Sequence, residues 1–186
     1  MGELAHRAKN GIAVVMSIIS QTARGMASVK DFEGLLMARM QAMAVSQDLV
    51  TATGGRPVEV ADVMAQALAP FDLKRFKIDS DLEGVRIGGQ LAAGTGLLLH
   101  EMATNATKYG ALSSGKGKVT LTRAEAPDGR VGFVWKEAGG PDVLPSNRRG
   151  FGTRLLQQVL RNQGGAVKFD FEPDGFRAHV ECPATS

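Results

Sequence analysis

The chain has 186 residues, 44% hydrophobic and 22% charged, which is room for one or two domains with a real core in the ordinary globular class. The net charge is only +3 and aromatic residues make up 5%, so the basic stripe with stacking aromatics that marks a nucleic-acid binder is missing. One cysteine, Cys182, excludes an internal disulfide; no apolar run approaches the ~20 residues of a membrane span; and His6, His100, His179 and Cys182 lack metal-ligand spacing, which excludes a zinc site. The first fifteen residues, MGELAHRAKNGIAVV, contain no clean apolar segment of a signal peptide.

In chain order, residues 3–26 read as a helix, with Leu4, Ala8, Ile12, Val15, Ile19 and Met26 along one stripe. Gly25 and Ser28–Asp31 mark a turn, and residues 32–50 read as a second helix with Phe32, Leu35, Leu36, Met40, Met43 and Val50 on one side. A short connection makes the two antiparallel, and a lone hairpin buries so little that half of a four-helix bundle, hence a homodimer, is the expected setting. The break Thr53-Gly54-Gly55-Arg56-Pro57 separates a helical hairpin, 1–53, from a second domain, 57–186. There Val58–Val60, Phe76–Ile78 and Val85–Ile87 are strand candidates, Asp62–Ala69 is a helix stopped by Pro70, and Gln90–Tyr109 is a long helix ending near Gly110. The run Lys74–Lys77 reads as solvated surface. The period then changes to two: Val119 and Leu121; Val131, Phe133, Trp135 and Glu137; Val167, Phe169 and Phe171; and Phe176, Ala178, Val180 and Cys182 share faces, with a turn at Asp174-Gly175. A loop over 138–149 and a helix over 152–163 lie between the middle strands. The fold class is α+β, a helical hairpin followed by a domain with helices on one face of a mixed, largely antiparallel sheet.

Four segments could carry chemistry. Glu101, Asn105 and Lys108 follow at steps of four and three, so a carboxylate, an amide and an ammonium share one helical face, the donor set of a magnesium–triphosphate site. His6, beside Arg7 and Lys9, is a nucleophile at neutral pH with cations to attract a phosphoryl group. Glu137 ends a strand and is followed by Gly139 and Gly140, which let a ligand approach a carboxylate able to accept from an adenine amino group. Trp135 reads as packing rather than a base-stacking residue. Arg148–Leu156 is a glycine-rich turn entering a helix, whose free N–H groups suit an anion. It is neither a Walker loop nor a dinucleotide fingerprint.

Together these segments resemble the HWE family of sensor histidine kinases. ELAHRAKN is similar to its H-box, HEMATNATKYGALS to its N-box, WKEAGGP to its G1 segment and GFGTRLL to its G2 segment, in order and over nearly the whole chain. The resemblance implies a dimerisation and phosphotransfer hairpin joined to a Bergerat-type (GHKL) α/β sandwich that binds ATP. It implies His6 as phosphoacceptor, Asn105 as magnesium ligand, Glu101 polarising or holding a metal-bound water, and Glu137 in place of the adenine-binding aspartate of ordinary histidine kinases. Lys108, Tyr109, Gly139, Gly140, Gly150, Gly152 and Thr153 would complete the nucleotide pocket with Asn105 and Glu137. His100 would be a structural, family-marking residue. The implied partners are Mg2+, a response-regulator receiver domain and a separate or missing sensor domain, in the bacterial cytoplasm. Arg7 follows His6 where the commoner kinase class has an acid, and Ser46–Leu49 lacks a histidine often found there. The rivals are a catalytically silent phosphotransfer or scaffold protein on the same fold and another GHKL ATPase, which would need neither the hairpin nor His6.

Overall fold

The computed structural model describes residues 56–127, 129–141 and 161–185, single positions between 12 and 44, and positions 157 and 160. The described positions from Ile12 to Ala23 and from Val29 to Ala44 are helical. Ile18 is buried and Thr22, one turn on, donates its hydroxyl to the Ile18 carbonyl at 2.6 Å. Of the apolar stripe read from the sequence, Ile12 and Ile19 are exposed in the single chain, as is Met16. These three lie at steps of four and three, so they form an apolar stripe of their own.

Strand β1 (Val58–Glu59) leads directly into helix α1 (Val60–Leu68). The strand expected to run to Val60 stops one residue earlier, and the helix expected from Asp62 starts two residues earlier. Val60 lies in the helix, where its amide donates to the Val85 carbonyl at 2.8 Å. The helix presents Val60, Val63, Met64, Ala67 and Leu68 to the core. A 3-10 turn, Leu73–Arg75, capped by the Asp72 carboxylate, precedes β2 (Phe76–Ile78). Strand β3 (Arg86–Ile87) pairs antiparallel with β1. Helix α2 (Gly89–Lys108) follows. Its buried residues Leu91, Thr95, Leu98, Met102 and Ala106 recur at steps of three and four, so one stripe faces the sheet and α1. Gly94 and Gly96 are both buried within it.

After a 3-10 turn at Ala111–Ser113 come β4 (Lys118–Ala124), β5 (Arg130–Ala138), β6 (Ala166–Glu172) and β7 (Gly175–Pro183). The five-stranded sheet has the order β2-β4-β5-β7-β6, with β2 parallel to β4 and the remaining pairs antiparallel. Its inner face carries Val119, Leu121, Phe133, Trp135, Ala178, Val180 and Cys182, all buried, as the period-two pattern requires. Trp135 is fully buried and meets the Phe76 ring edge-on at 5.9 Å, a packing residue as expected. Phe171, which shares its face with Val167 and Phe169, is 42% exposed on β6, the edge strand of the sheet. None of the described helices is long and apolar enough to cross a membrane.

Candidate functional site

The C-terminal end of α2 and the C-terminal end of β5 meet at one corner of the sandwich. Helix α2 leaves the core as it proceeds, so the face predicted from spacing is graded in depth. Glu101 is buried, whereas Asn105, Lys108 and Tyr109 are exposed, Tyr109 by 77%. His100 is buried against Phe71, with ring centroids 5.3 Å apart, which suits a structural role. Tyr109 and Gly110 both donate their amides to the Asn105 carbonyl, closing the helix. The chain then turns back beneath the helix end through residues 110–117.

Glu137 sits against this turn. Its alternation with Phe133 and Trp135 places it on the inner face of β5, and it is only 3% exposed. Both carboxylate oxygens have protein donors: the Trp135 indole Nε1 gives to Oε1 at 3.2 Å, and the Ala111 amide gives to Oε2 at 2.8 Å. Burial raises the pKa of Glu137 above its ordinary value, and the Ala111 and Trp135 N–H groups, in that order, oppose the rise. A carboxylate offers about four lone-pair sites, so these two donors leave two unused. The backbone around it is too close for side chains. A Cβ on Gly110 would lie 2.1 Å from Glu137 Oε2, one on Gly140 would lie 2.5 Å from the Ala111 Cα, and one on Gly175 would lie 2.1 Å from the Glu137 carbonyl. Gly139 has φ of +73°, a conformation other residues rarely adopt, and there β5 turns out of the sheet.

The structure thus brings Glu137, Gly139 and Gly140 together with the turn after Tyr109, and places Asn105 and Lys108 on the exposed last turns of the helix above it. His6, Gly150, Gly152 and Thr153 lie outside the described residues. Three contributors carry no signature in the sequence: the Ala111 amide, Ser114 and Arg75. Ser114 donates its hydroxyl to the Gly139 carbonyl at 2.6 Å and accepts from the Gly117 amide at 3.1 Å, tying the turn to the end of β5. Arg75 corrects the reading of Lys74–Lys77 as solvated surface. Its guanidinium reaches inward to the carbonyls of Leu112, Gly117, Ala111 and Ser114. Only the chain direction at the 3-10 turn, which points Lys74 outward and Arg75 inward, separates the two cations.

A model of the HWE histidine kinase family matches residues 3–84. Over that stretch the chain is similar to the HWE histidine kinase family. It is 34% identical to a blue-light-activated histidine kinase of Brucella ovis and 32% identical to one of Brucella anthropi, over 98% and 99% of its own length. It spans 38% of the length of each of these relatives. Among solved structures it resembles the blue-light activated histidine kinase EL346 of Erythrobacter litoralis, with a TM-score of 0.66 at 18% identity, over 98% of this chain and 58% of that one. It also resembles a mycobacterial sensor histidine kinase, MprB, with a TM-score of 0.54 at 21% identity, over 70% of this chain and 97% of that one. The mixed α+β sandwich of this chain is therefore similar in fold to these histidine kinases.

Proposed function

We propose that this chain is an HWE-type histidine kinase that binds Mg-ATP at the corner between α2 and β5, transfers the γ-phosphoryl group to His6, and passes it to an aspartate of a response regulator. The observation that carries the reading is the buried Glu137 carboxylate, held by two N–H donors, ringed by glycines and retaining acceptor capacity. Such a group accepts from the amino edge of adenine and repels the carbonyl edge of guanine. Asn105 and Lys108, exposed on the helix above, supply a neutral oxygen and a cation for the phosphate end. Magnesium is held in such sites by one or two protein ligands plus substrate phosphates, and Asn105 suits that sparse set. Bound there, the ion would neutralise charge on the phosphate oxygens. Glu101, buried one turn below Asn105, would polarise or hold a metal-bound water. Tyr109 flanks that end of the site, and Gly150, Gly152 and Thr153 are assigned to nucleotide binding.

Neutral imidazole of His6 attacks through Nε2. An N–P bond forms, the bond between the γ-phosphorus and its bridging oxygen breaks, ADP leaves, and the imidazole proton passes to solvent. Phosphoryl transfer needs positioning and charge neutralisation more than a protein base, so no further catalytic group is required. Residues 1–53 form the dimerisation and phosphotransfer unit and 57–186 the ATP-binding unit. The exposed stripe of Ile12, Met16 and Ile19, with Val29 81% exposed, supports pairing of two hairpins in a homodimer. The cytoplasm is the compartment where ATP and a response regulator meet the chain.

Incubation with magnesium and γ-labelled ATP tests the proposal. The expected product is an acid-labile, base-stable label that His6→Ala abolishes. Equal labelling of His6→Ala overturns the assignment of His6. Nucleotide binding with no label in the wild type favours a silent phosphotransfer scaffold.

A further inference from the structure

Arg75 lies more than thirty residues before the segment it holds. From Nε it donates to the Gly117 carbonyl at 3.0 Å, from Nη1 to the Leu112 carbonyl at 2.9 Å, and from Nη2 to the carbonyls of Gly117 at 2.7 Å, Ala111 at 3.5 Å and Ser114. Four carbonyls of one short turn therefore converge on a single planar cation, an arrangement that fixes the turn at both ends. The turn is also closed on itself, since a Cβ on Gly117 would lie 1.7 Å from the Ala111 carbonyl oxygen. Ala111 is the residue whose amide holds Glu137 Oε2 at 2.8 Å. The path from Arg75 to Glu137 thus runs through one residue: the guanidinium takes the Ala111 carbonyl and its neighbours, and the Ala111 amide takes the carboxylate. Ser114, whose carbonyl Arg75 also holds, fastens the same turn to the Gly139 carbonyl at the end of β5.

We infer that Arg75 is a positioning residue for base recognition, setting the Glu137 carboxylate by clamping residues 111–117. The inference rests on the reading of Glu137 as the adenine acceptor. Arg75 touches no substrate; it acts through the Ala111 amide. Lysine cannot replace it, because one ammonium on a flexible stem does not span four carbonyls in a plane.

The test compares wild type, Arg75→Met and Arg75→Lys as the full chain. It measures dissociation constants for Mg-ATP and Mg-GTP, KM and kcat of autophosphorylation, and the emission of Trp135, the sole tryptophan and a hydrogen-bond partner of Glu137. Displacement of one charged acceptor predicts that Arg75→Met weakens ATP about tenfold or more while GTP changes less than about twofold. The ATP preference should collapse, KM should rise, kcat at saturating ATP should stay within about twofold of wild type, and Trp135 emission should shift. Arg75→Lys should move the same way. Equal weakening of ATP and GTP, or an ATP preference retained by a folded Arg75→Met, overturns the inference and leaves the nucleotide reading standing. Loss of the far-ultraviolet dichroism in both variants also overturns it, because Arg75 would then serve folding alone. A wild type that does not prefer ATP to GTP refutes the adenine reading itself, and the inference with it.

Discussion

Glu137→Gln is the sharpest perturbation of the corner site. Glutamine keeps the length of the side chain but presents one oxygen and one NH2 group in place of two acceptors. The carboxylate has a donor on each oxygen, the Ala111 amide at 2.8 Å and the Trp135 indole at 3.2 Å, and it is buried. Whichever way the amide turns, its NH2 faces an N–H. The shorter bond should keep the amide oxygen on Ala111, leaving the Trp135 donor opposed. Losing one such bond costs about 1–3 kcal/mol. Removing the charge returns part of that, since burial raises the pKa of Glu137 despite the two N–H groups. The net loss of folding stability should therefore be about 1 kcal/mol. The effect on nucleotide is larger, because the proposed acceptor for the adenine amino group becomes a donor: about 1.5–3 kcal/mol, or roughly ten- to a hundredfold in Kd for ATP. Urea unfolding followed by Trp135 emission gives the first number, and titration with ATP and GTP gives the second. A Glu137→Gln protein that binds ATP as tightly as wild type, with its preference over GTP intact, refutes the assignment.

The same carboxylate sets a pH dependence. On the proposed reading ATP binding uses its ionised form, so affinity should fall as pH drops through the raised pKa, which lies above the ordinary value of 4.5; Glu137→Gln should lack this limb in an ATP titration against pH. Folding runs the other way, because a raised pKa means that the native state binds the proton better: the group's contribution to stability should grow as pH falls from the folded pKa toward 4.5, read from urea midpoints of wild type against Glu137→Gln. Trp135→Phe removes the indole donor that lowers the Glu137 pKa, so the acid limb of ATP binding should move to higher pH. That variant should also lose about 1–3 kcal/mol of stability by dichroism-monitored unfolding. Asn105→Ala, at an exposed helical position, should change stability by less than about 0.5 kcal/mol. It should also lower labelling from γ-labelled ATP by about a hundredfold or more, as expected of a lost metal ligand.

The alternation through Val131, Phe133, Trp135 and Glu137 is why the inner face of β5, and Glu137 on it, could be read without coordinates: period two leaves little choice once Trp135 must be buried. The helical steps joining Glu101, Asn105 and Lys108 were legible for the same reason. Spacing specifies a shared face but not depth, and the face passes from buried at Glu101 to open at Lys108 because α2 runs out of the core along its length. The depth of Glu101 follows from Leu97, Leu98 and Leu99 being buried just before it, which depends on where α1 and the sheet lie. The stripe of the first helix shows the same limit. Ile12, Val15 and Ile19 are spaced for a helix, yet the side that buries Ile18 and Thr22 is a different one, since periodicity identifies an apolar face without saying which partner it meets.

Arg75 shows a limit of another kind. A cation whose partner is a carboxylate leaves a complementary charge somewhere in the chain, and a cation that binds phosphate usually stands beside glycines or a helix start. Arg75 has neither companion, because all four of its acceptors are main-chain carbonyls, which every residue type supplies alike. The one trace is indirect: Gly117 can have no side chain because the turn is folded so tightly that a Cβ would collide with the Ala111 carbonyl. A tight turn that directs its carbonyls to one side needs a donor with several N–H groups in a plane to satisfy them, and arginine is the side chain that offers five. Lys74 and Lys77, its neighbours of the same charge, are exposed, so the discrimination within this basic run was never a matter of charge but of which residue the 3-10 turn points at unsatisfied carbonyls.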